Sequence, residues 1–116
     1  MTLRAGIVEV GQAQFGDLVE NDALVAMGVD TNDEWIRSRS GIERRWFISK
    51  DDPRKTSDVG AEALQDALNR AGWTVDSLDA IVCATSTPDF DSYPATACVI
   101  QEKVKAVNAF GFDVTA

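Results

Sequence analysis

The order of apolar and polar positions along the chain predicts three strands, the first of them buried. The first run covers Leu3 to Val10 with little polar interruption, and Gly11 stops it. The second, Ala80 to Ala84, is wholly apolar, which is typical of a central strand covered on both faces. The third covers Ala109 to Val114. These runs are too short to cross a membrane as helices.

Two helices are predicted between the first and second strands by their end signals. Asn21 is placed to cap a short helix that Gly28 ends. The stretch from Thr31 to Glu34 has the composition of a capping box, in which the threonine hydroxyl accepts from the backbone N–H of Glu34. Gly41 stands where this second helix must end.

Further along, Ile42 to Ile48 is suited to an extended segment because its end is aromatic and β-branched. Ser57 to Ala71 is the clearest helix, with apolar residues at helical spacing, and Gly72 closes it. Pro94 can begin a last helix that runs to about Lys105. Helices between apolar strands predict a mainly parallel sheet with helices on both faces, hence an α/β fold.

Composition narrows the classes of function. The chain has 116 residues, which allows one domain, and its net charge of −8 argues against binding to nucleic acid or to an anionic membrane surface. It has no histidine, the commonest general base and metal ligand. Neither a metal site nor a disulfide framework is indicated, because the only cysteines are Cys83 and Cys98. A reduced, cytoplasmic setting without a leader peptide is expected.

Trp35 is the first residue whose surroundings suggest chemistry. Its helical neighbours three and four positions away are all polar: Thr31, Asn32, Ser38 and Arg39. A core tryptophan would have apolar neighbours at those spacings, so this ring is expected at a surface or a cleft wall. One interpretation is an indole partly buried against another segment. The other is a stacking platform for a ring such as adenine, with Arg39 near a phosphate.

A basic cluster follows the same helix. Residues 37–45 hold four arginines against one glutamate, a local charge of +3 on a body that carries −11. A solvated helix end would explain these arginines equally well. The remaining candidates are weaker: Cys83 and Cys98 are expected to be inert buried thiols, and Asp89 and Asp91 to lie in a solvated loop rather than to act as an acid/base pair.

The segment from Asp30 to Arg45, DTNDEWIRSRSGIERR, resembles a signature of β-ketoacyl-acyl carrier protein synthase III, the initiating condensing enzyme of bacterial fatty acid synthesis. Further segments reinforce the resemblance in the family's order: ATSTPD at 84–89, YPATAC at 93–98 and AFGFDVTA at 109–116.

The resemblance implies a thiolase-like fold, of which residues 1–116 would be the N-terminal half, incomplete, in a homodimer. It implies that Trp35 stacks on the adenine of coenzyme A, with Thr31 and Arg39 close to the nucleotide. Tyr93 would lie at the dimer interface and reach toward the partner's acyl pocket. Acyl-CoA and acyl carrier protein are the implied partners, with no bound cofactor or metal.

The resemblance also implies that the nucleophilic cysteine, the histidine and the asparagine of the family lie beyond Ala116, the cysteine about two residues on. The expected activity is a decarboxylative Claisen condensation of an acyl-CoA with malonyl carrier protein, carried out with the remainder of the polypeptide. The alternatives are a related condensing enzyme or acyltransferase of secondary metabolism, and a non-catalytic domain that binds coenzyme A or serves in interactions.

Overall fold

A computed structural model describes residues 4–14 and 16–115 of the chain. The chain divides into two compact units. The small unit is Phe15–Pro53, and the large unit combines Met1–Gln14 with Arg54–Ala116. No helix within the described residues is both long and apolar enough to cross a membrane.

Across residues 16–53, the small unit contains one antiparallel strand pair and two helices. Strand β1, Asp17–Glu20, pairs with β2, Arg44–Phe47. Helix α1 is Asn21–Ala26 and helix α2 is Asp33–Ser40. The extended segment predicted at residues 42–48 is therefore confirmed as β2.

The predicted cap of α1 is wrong. Glu20 occupies the N-cap position with no side-chain hydrogen bond, and Asn21 is the first helical residue. The Asn21 side chain is only 1% exposed and turns inward to long-range partners, which outcompete the local backbone donors. Val19 is the buried hydrophobic residue of this unit among those the structure describes.

The large unit is built from two helices and a parallel strand pair. Helix α3, Thr56–Ala71, and helix α4, Thr96–Val104, agree with the predicted helices to within two residues. Strand β3, Ala80–Ala84, pairs in parallel with β4, Phe110–Val114, after a short 3₁₀ turn at Val75–Ser77. A parallel pair with intervening helices confirms the α/β class.

The core of the large unit is aliphatic. α4 packs on both strands and α3 packs on α4. The buried cluster combines five residues from β3, α4 and the segment before β4: Ile81, Ala97, Ile100, Ala106 and Ala109. A Cβ added at Gly60 of α3 would lie 2.6 Å from Ile100 Cδ1, so the glycine permits the close approach of the two helices.

One face of this sheet remains open. Ile81 is 8% exposed whereas Val82 is 54% exposed, and Phe110 and Phe112, on the Val82 face, are also exposed. The prediction that β3 is covered on both faces is therefore wrong for the described residues. Within the part of the chain that the structure describes, no second layer covers the apolar side chains on the face away from α4.

The predicted first strand is also not formed. Residues 4–10 belong to no strand, Ile7 is 90% exposed, and Leu3 lies outside the described residues. Ile7 and Val8 line a shallow groove of about 210 Å³ against α3 and Trp73 instead. An apolar run becomes a strand only where a ladder partner satisfies its backbone. Among the described residues, β4 is the one strand paired with β3.

Candidate functional site

Helix α2, which carries the predicted site, forms through strong local signals. Asn32 is the N-cap, and its Oδ1 accepts from Trp35 N at 2.8 Å. Asp33 and Glu34 lie in the first turn, where carboxylates favour the helix dipole, and arginines lie in the last. Gly41 ends the helix at φ 72°, as its position in the sequence predicted.

The structure brings Trp35 and Arg39 together on one face of α2. Trp35 is 55% exposed, and the Arg39 guanidinium lies over the indole ring, 5.2 Å from its centroid. Such a cation–π pair contributes about 0.5–1 kcal/mol at an exposed position. The predicted exposure of the ring is confirmed, and a cation lies over one of its two faces.

Thr31 lies one helical turn before Trp35 but does not cap α2. Its Oγ1 is shielded from solvent and has no hydrogen-bond partner among the described residues. The predicted capping box from Thr31 to Glu34 is wrong by one residue, because Asn32 takes the N-cap position. An asparagine with extended backbone geometry reaches the Trp35 N–H equally well.

Polar and acidic side chains of the small unit contact or lie close to three of the four arginines in the basic cluster. Arg37 Nη2 lies 2.8 Å from Glu43 Oε1, and both side chains are more than half exposed. Arg45 donates to the Asn21 side chain. Arg44 lines a polar cavity of about 240 Å³ that also includes Asn21 and several carboxylates. Only Arg39 of the four is placed over an aromatic ring in the described residues.

Asn21 was predicted as the cap of α1, but its side chain has a different role. Its Nδ2 donates to Asp33 Oδ1 at 2.7 Å and to the Ile42 carbonyl at 2.8 Å. Its Oδ1 accepts from Arg45 Nη2. A buried asparagine with these partners has no local sequence signal, because the partners are distant along the chain.

Tyr93 is the predicted acyl-pocket residue, and it belongs to the large unit. It is 83% exposed in the loop between β3 and α4. In the same loop Asp89 is not free for acid/base work, since its carboxylate accepts from Ser57 N at 2.9 Å and from Ser57 Oγ at 2.5 Å. The Asp89 side chain therefore ties this loop to the start of α3.

The surroundings of Cys83 do not favour a thiolate. Cys83 and Cys98 are half-buried. Burial raises the pKa of the Cys83 thiol, and the nearby Asp113 and Asp89 carboxylates raise that pKa further. A raised pKa disfavours the reactive thiolate, which agrees with the predicted inert role of Cys83. No group of residues suited to hold a metal ion occurs within the described part of the chain.

Comparison with known proteins identifies relatives by sequence. No protein-family profile matches the chain. β-Ketoacyl-[acyl-carrier-protein] synthase III of Clostridium perfringens strain SM101 is 47% identical over 112 residues, 97% of this chain and 33% of that protein. The protein of the same name from Dinoroseobacter shibae is 43% identical over 116 residues, 100% of this chain and 35% of its own length.

Solved structures give the same result. 3-Oxoacyl-[acyl-carrier-protein] synthase III from Aquifex aeolicus VF5 has a TM-score of 0.74 and 32% identity, over 94% of this chain and 34% of that one. The priming β-ketosynthase of the R1128 polyketide pathway has a TM-score of 0.74 and 30% identity, over 95% of this chain and 32% of that one.

The fold is therefore a partial thiolase-like α/β domain, as the sequence resemblance implied. The chain belongs to the β-ketoacyl-[acyl-carrier-protein] synthase III family. It spans about one third of the length of the curated relatives that it matches.

Proposed function

We propose that this chain is part of a β-ketoacyl-acyl carrier protein synthase III. The complete protein would be an acyltransferase that condenses an acyl-CoA with malonyl-acyl carrier protein, with loss of carbon dioxide, to initiate fatty acid synthesis. Curated proteins that match 97% and 100% of this chain at 47% and 43% identity both carry the name synthase III, which supports this activity over one in secondary metabolism.

The Trp35 and Arg39 pair carries the proposal that coenzyme A binds here. The Arg39 guanidinium covers one face of the indole, so an adenine would stack on the opposite face or displace the guanidinium toward a nucleotide phosphate. Thr31 belongs to the same proposed wall. Its hydroxyl would have to turn outward to meet a ligand, because Oγ1 is shielded from solvent.

The remaining parts of the proposal concern the complete protein. Residues 1–116 would form an incomplete part of a larger domain, which the length of the relatives and the uncovered apolar sheet face support. The nucleophilic cysteine and its histidine and asparagine partners would come from other residues of the polypeptide. Coenzyme A would enter as substrate rather than as a bound cofactor, in a cytoplasmic homodimer that receives malonyl groups from acyl carrier protein.

Tyr93 is proposed at the dimer interface, facing the partner's acyl pocket. Its exposure of 83% leaves the ring available for such a contact. A Tyr93→Ala variant of the complete protein that kept both its dimerisation and its acyl-chain preference would contradict this role.

The coenzyme A site is tested by Trp35→Ala in the complete protein. Loss of stacking and of the cation–π pair is expected to weaken acyl-CoA binding about two- to tenfold, with kcat at saturation nearly unchanged. The matched control is Trp46→Ala, since Trp46 lies in the same unit with 59% exposure but has no cation over its ring in the described residues. Equal affinity of the Trp35→Ala variant and the parent in a calorimetric titration would overturn the site.

A further inference from the structure

We infer that Asn21 is a positioning residue for the Trp35 and Arg39 pair, acting through both ends of α2. The inference rests on the proposed coenzyme A site and adds a residue that the ligand does not touch. A buried carboxamide would set where the indole and the guanidinium are presented.

Helix α2 needs such an anchor because it has little apolar packing of its own. None of its eight residues is buried, and Ile36 is its half-buried aliphatic residue. Helices of this length are unstable alone and usually depend on an apolar face for their stability. The position of Trp35 therefore depends on polar contacts.

Asn21 makes those contacts at both ends of the helix. At the N-terminal end, Nδ2 donates to Asp33 Oδ1 at 2.7 Å. At the C-terminal end, the same nitrogen donates to the carbonyl of Ile42, directly after the Gly41 cap, at 2.8 Å. These two hydrogen bonds connect the first turn of α2 and the residue after its C-terminal cap to the same side chain.

The other half of the carboxamide fixes Asn21 to the strand pair. Its Oδ1 accepts from Arg45 of β2, and its backbone N–H donates to the Glu43 carbonyl at 3.2 Å. Both amide donors and the carbonyl oxygen are thus used in a side chain that is 1% exposed. Alanine would leave the partner groups at Asp33, Ile42 and Arg45 without this amide.

An ion pair is another polar contact that could hold α2 in place. Arg37 pairs with Glu43 at 2.8 Å, but both side chains are exposed, so the pair contributes little to the rigidity of α2. The buried hydrogen bonds of Asn21 are the stronger restraint. Loss of Asn21 is expected to leave α2 formed but variable in its orientation.

The first test is a double-variant cycle in the complete protein, with coenzyme A titrated by calorimetry. Asn21→Ala is expected to weaken binding about two- to tenfold, as Trp35→Ala does, while kcat at saturation changes little. In a background that carries both Trp35→Ala and Arg39→Ala, Asn21→Ala should weaken binding by less than about twofold, because its effect passes through these two side chains.

The control is Ser57→Ala, which removes a side chain that is 0% exposed and hydrogen-bonded to Asp89 in the large unit. It should lower stability and leave the affinity for coenzyme A unchanged. If Trp35→Ala weakens binding and Asn21→Ala does not, this inference is overturned and the proposed site stands. If Trp35→Ala has no effect, both are overturned.

If the Asn21→Ala variant does not fold, two substitutions at Asp33 test the same hydrogen bond with less disruption. Asp33→Ala removes the acceptor at the N-terminal end of α2, and Asp33→Asn keeps an oxygen that can accept from Asn21 Nδ2. Asp33→Ala should weaken coenzyme A binding about two- to fivefold, and Asp33→Asn by less than about twofold. If Asp33→Ala and Asp33→Asn bound coenzyme A with equal affinity, the proposed role of this hydrogen bond would be overturned.

Discussion

The two units of the chain are stabilised in different ways. In the large unit, Ile81, Ile100 and three alanines form an aliphatic cluster between sheet and helix. In the small unit, the described buried side chains are Val19 and the polar Asn21. The large unit is thus held by apolar burial, whereas the small unit relies on directional hydrogen bonds. Hydrogen bonds specify orientation at a modest net gain in stability, which suits the ligand wall that we propose for this unit.

Buried polar groups are present in the large unit as well, but they serve helix ends. Thr96 N and Ala97 N donate to the Asp113 carboxylate at 2.6 and 2.7 Å, at the start of α4. Ser57 is held by Asp89 in the same way at the start of α3. These bonds satisfy donors that every helix leaves free, while the aliphatic cluster supplies the packing.

The largest effect is expected from Ile100→Ala, in the core of the large unit. Ile100 is 4% exposed, and its removal should lower the free energy of unfolding by about 2–5 kcal/mol in urea titrations. Ile7→Ala, at a position 90% exposed, is the control and should change stability by less than about 0.5 kcal/mol. The contrast between the units would fail if Ile100→Ala cost less than Asn21→Ala.

The second prediction compares the C-terminal ends of α2 and α4, where a smaller change in the free energy of unfolding is expected. Lys105 ends α4 at φ 62°, in the left-handed region, whereas α2 ends at Gly41. Lys105→Gly should therefore raise the free energy of unfolding by about 1 kcal/mol, and Gly41→Ala should lower it by a similar amount. Thermal unfolding measures both changes.

The control for this comparison is Lys105→Ala, which removes the exposed ion pair to Glu102 but keeps the left-handed backbone. If Lys105→Ala stabilised the protein as much as Lys105→Gly, the backbone explanation would be wrong.

The smallest effect concerns the ion pair between α3 and α4. The hydrogen bond from Lys103, with help from the backbone N–H of Lys55, lowers the pKa of Asp58 below its usual range. Because the folded pKa is the lower one, Asp58 stabilises the fold above its unfolded pKa, and the gain is lost as pH falls through the folded value. Asp58→Asn should cost less than about 1 kcal/mol at pH 7.

Urea titrations at several pH values measure this contribution. The difference in stability between parent and Asp58→Asn should shrink as pH falls below about 4. A difference that stayed constant down to pH 2 would show that the carboxylate charge does not stabilise the helix pair. Glu102→Gln, which breaks a more exposed pair, is the control and should have a smaller effect.

Features that depend on a few neighbouring residues were predictable from the sequence. The α3 helix was predicted within one residue because its apolar spacing and its Gly72 cap act within a few turns. The exposure of Trp35 and the nearness of Arg39 followed from the polar residues at helical spacing. The parallel pair of β3 and β4 followed from apolar runs separated by a helix. The roles of Trp35, Arg39, Thr31 and Tyr93 in binding stay predictions.

Features that depend on distant partners were decided by the tertiary structure. Residues 4–10 have the composition of a buried strand, yet no described strand pairs with them, because a ladder needs a second strand and not only an apolar sequence. Asn21 had the residue type of a helix cap, but its side-chain partners lie 12, 21 and 24 residues along the chain. A side chain bonds to whichever groups the fold brings within reach, and burial strengthens that preference over a solvent-exposed cap.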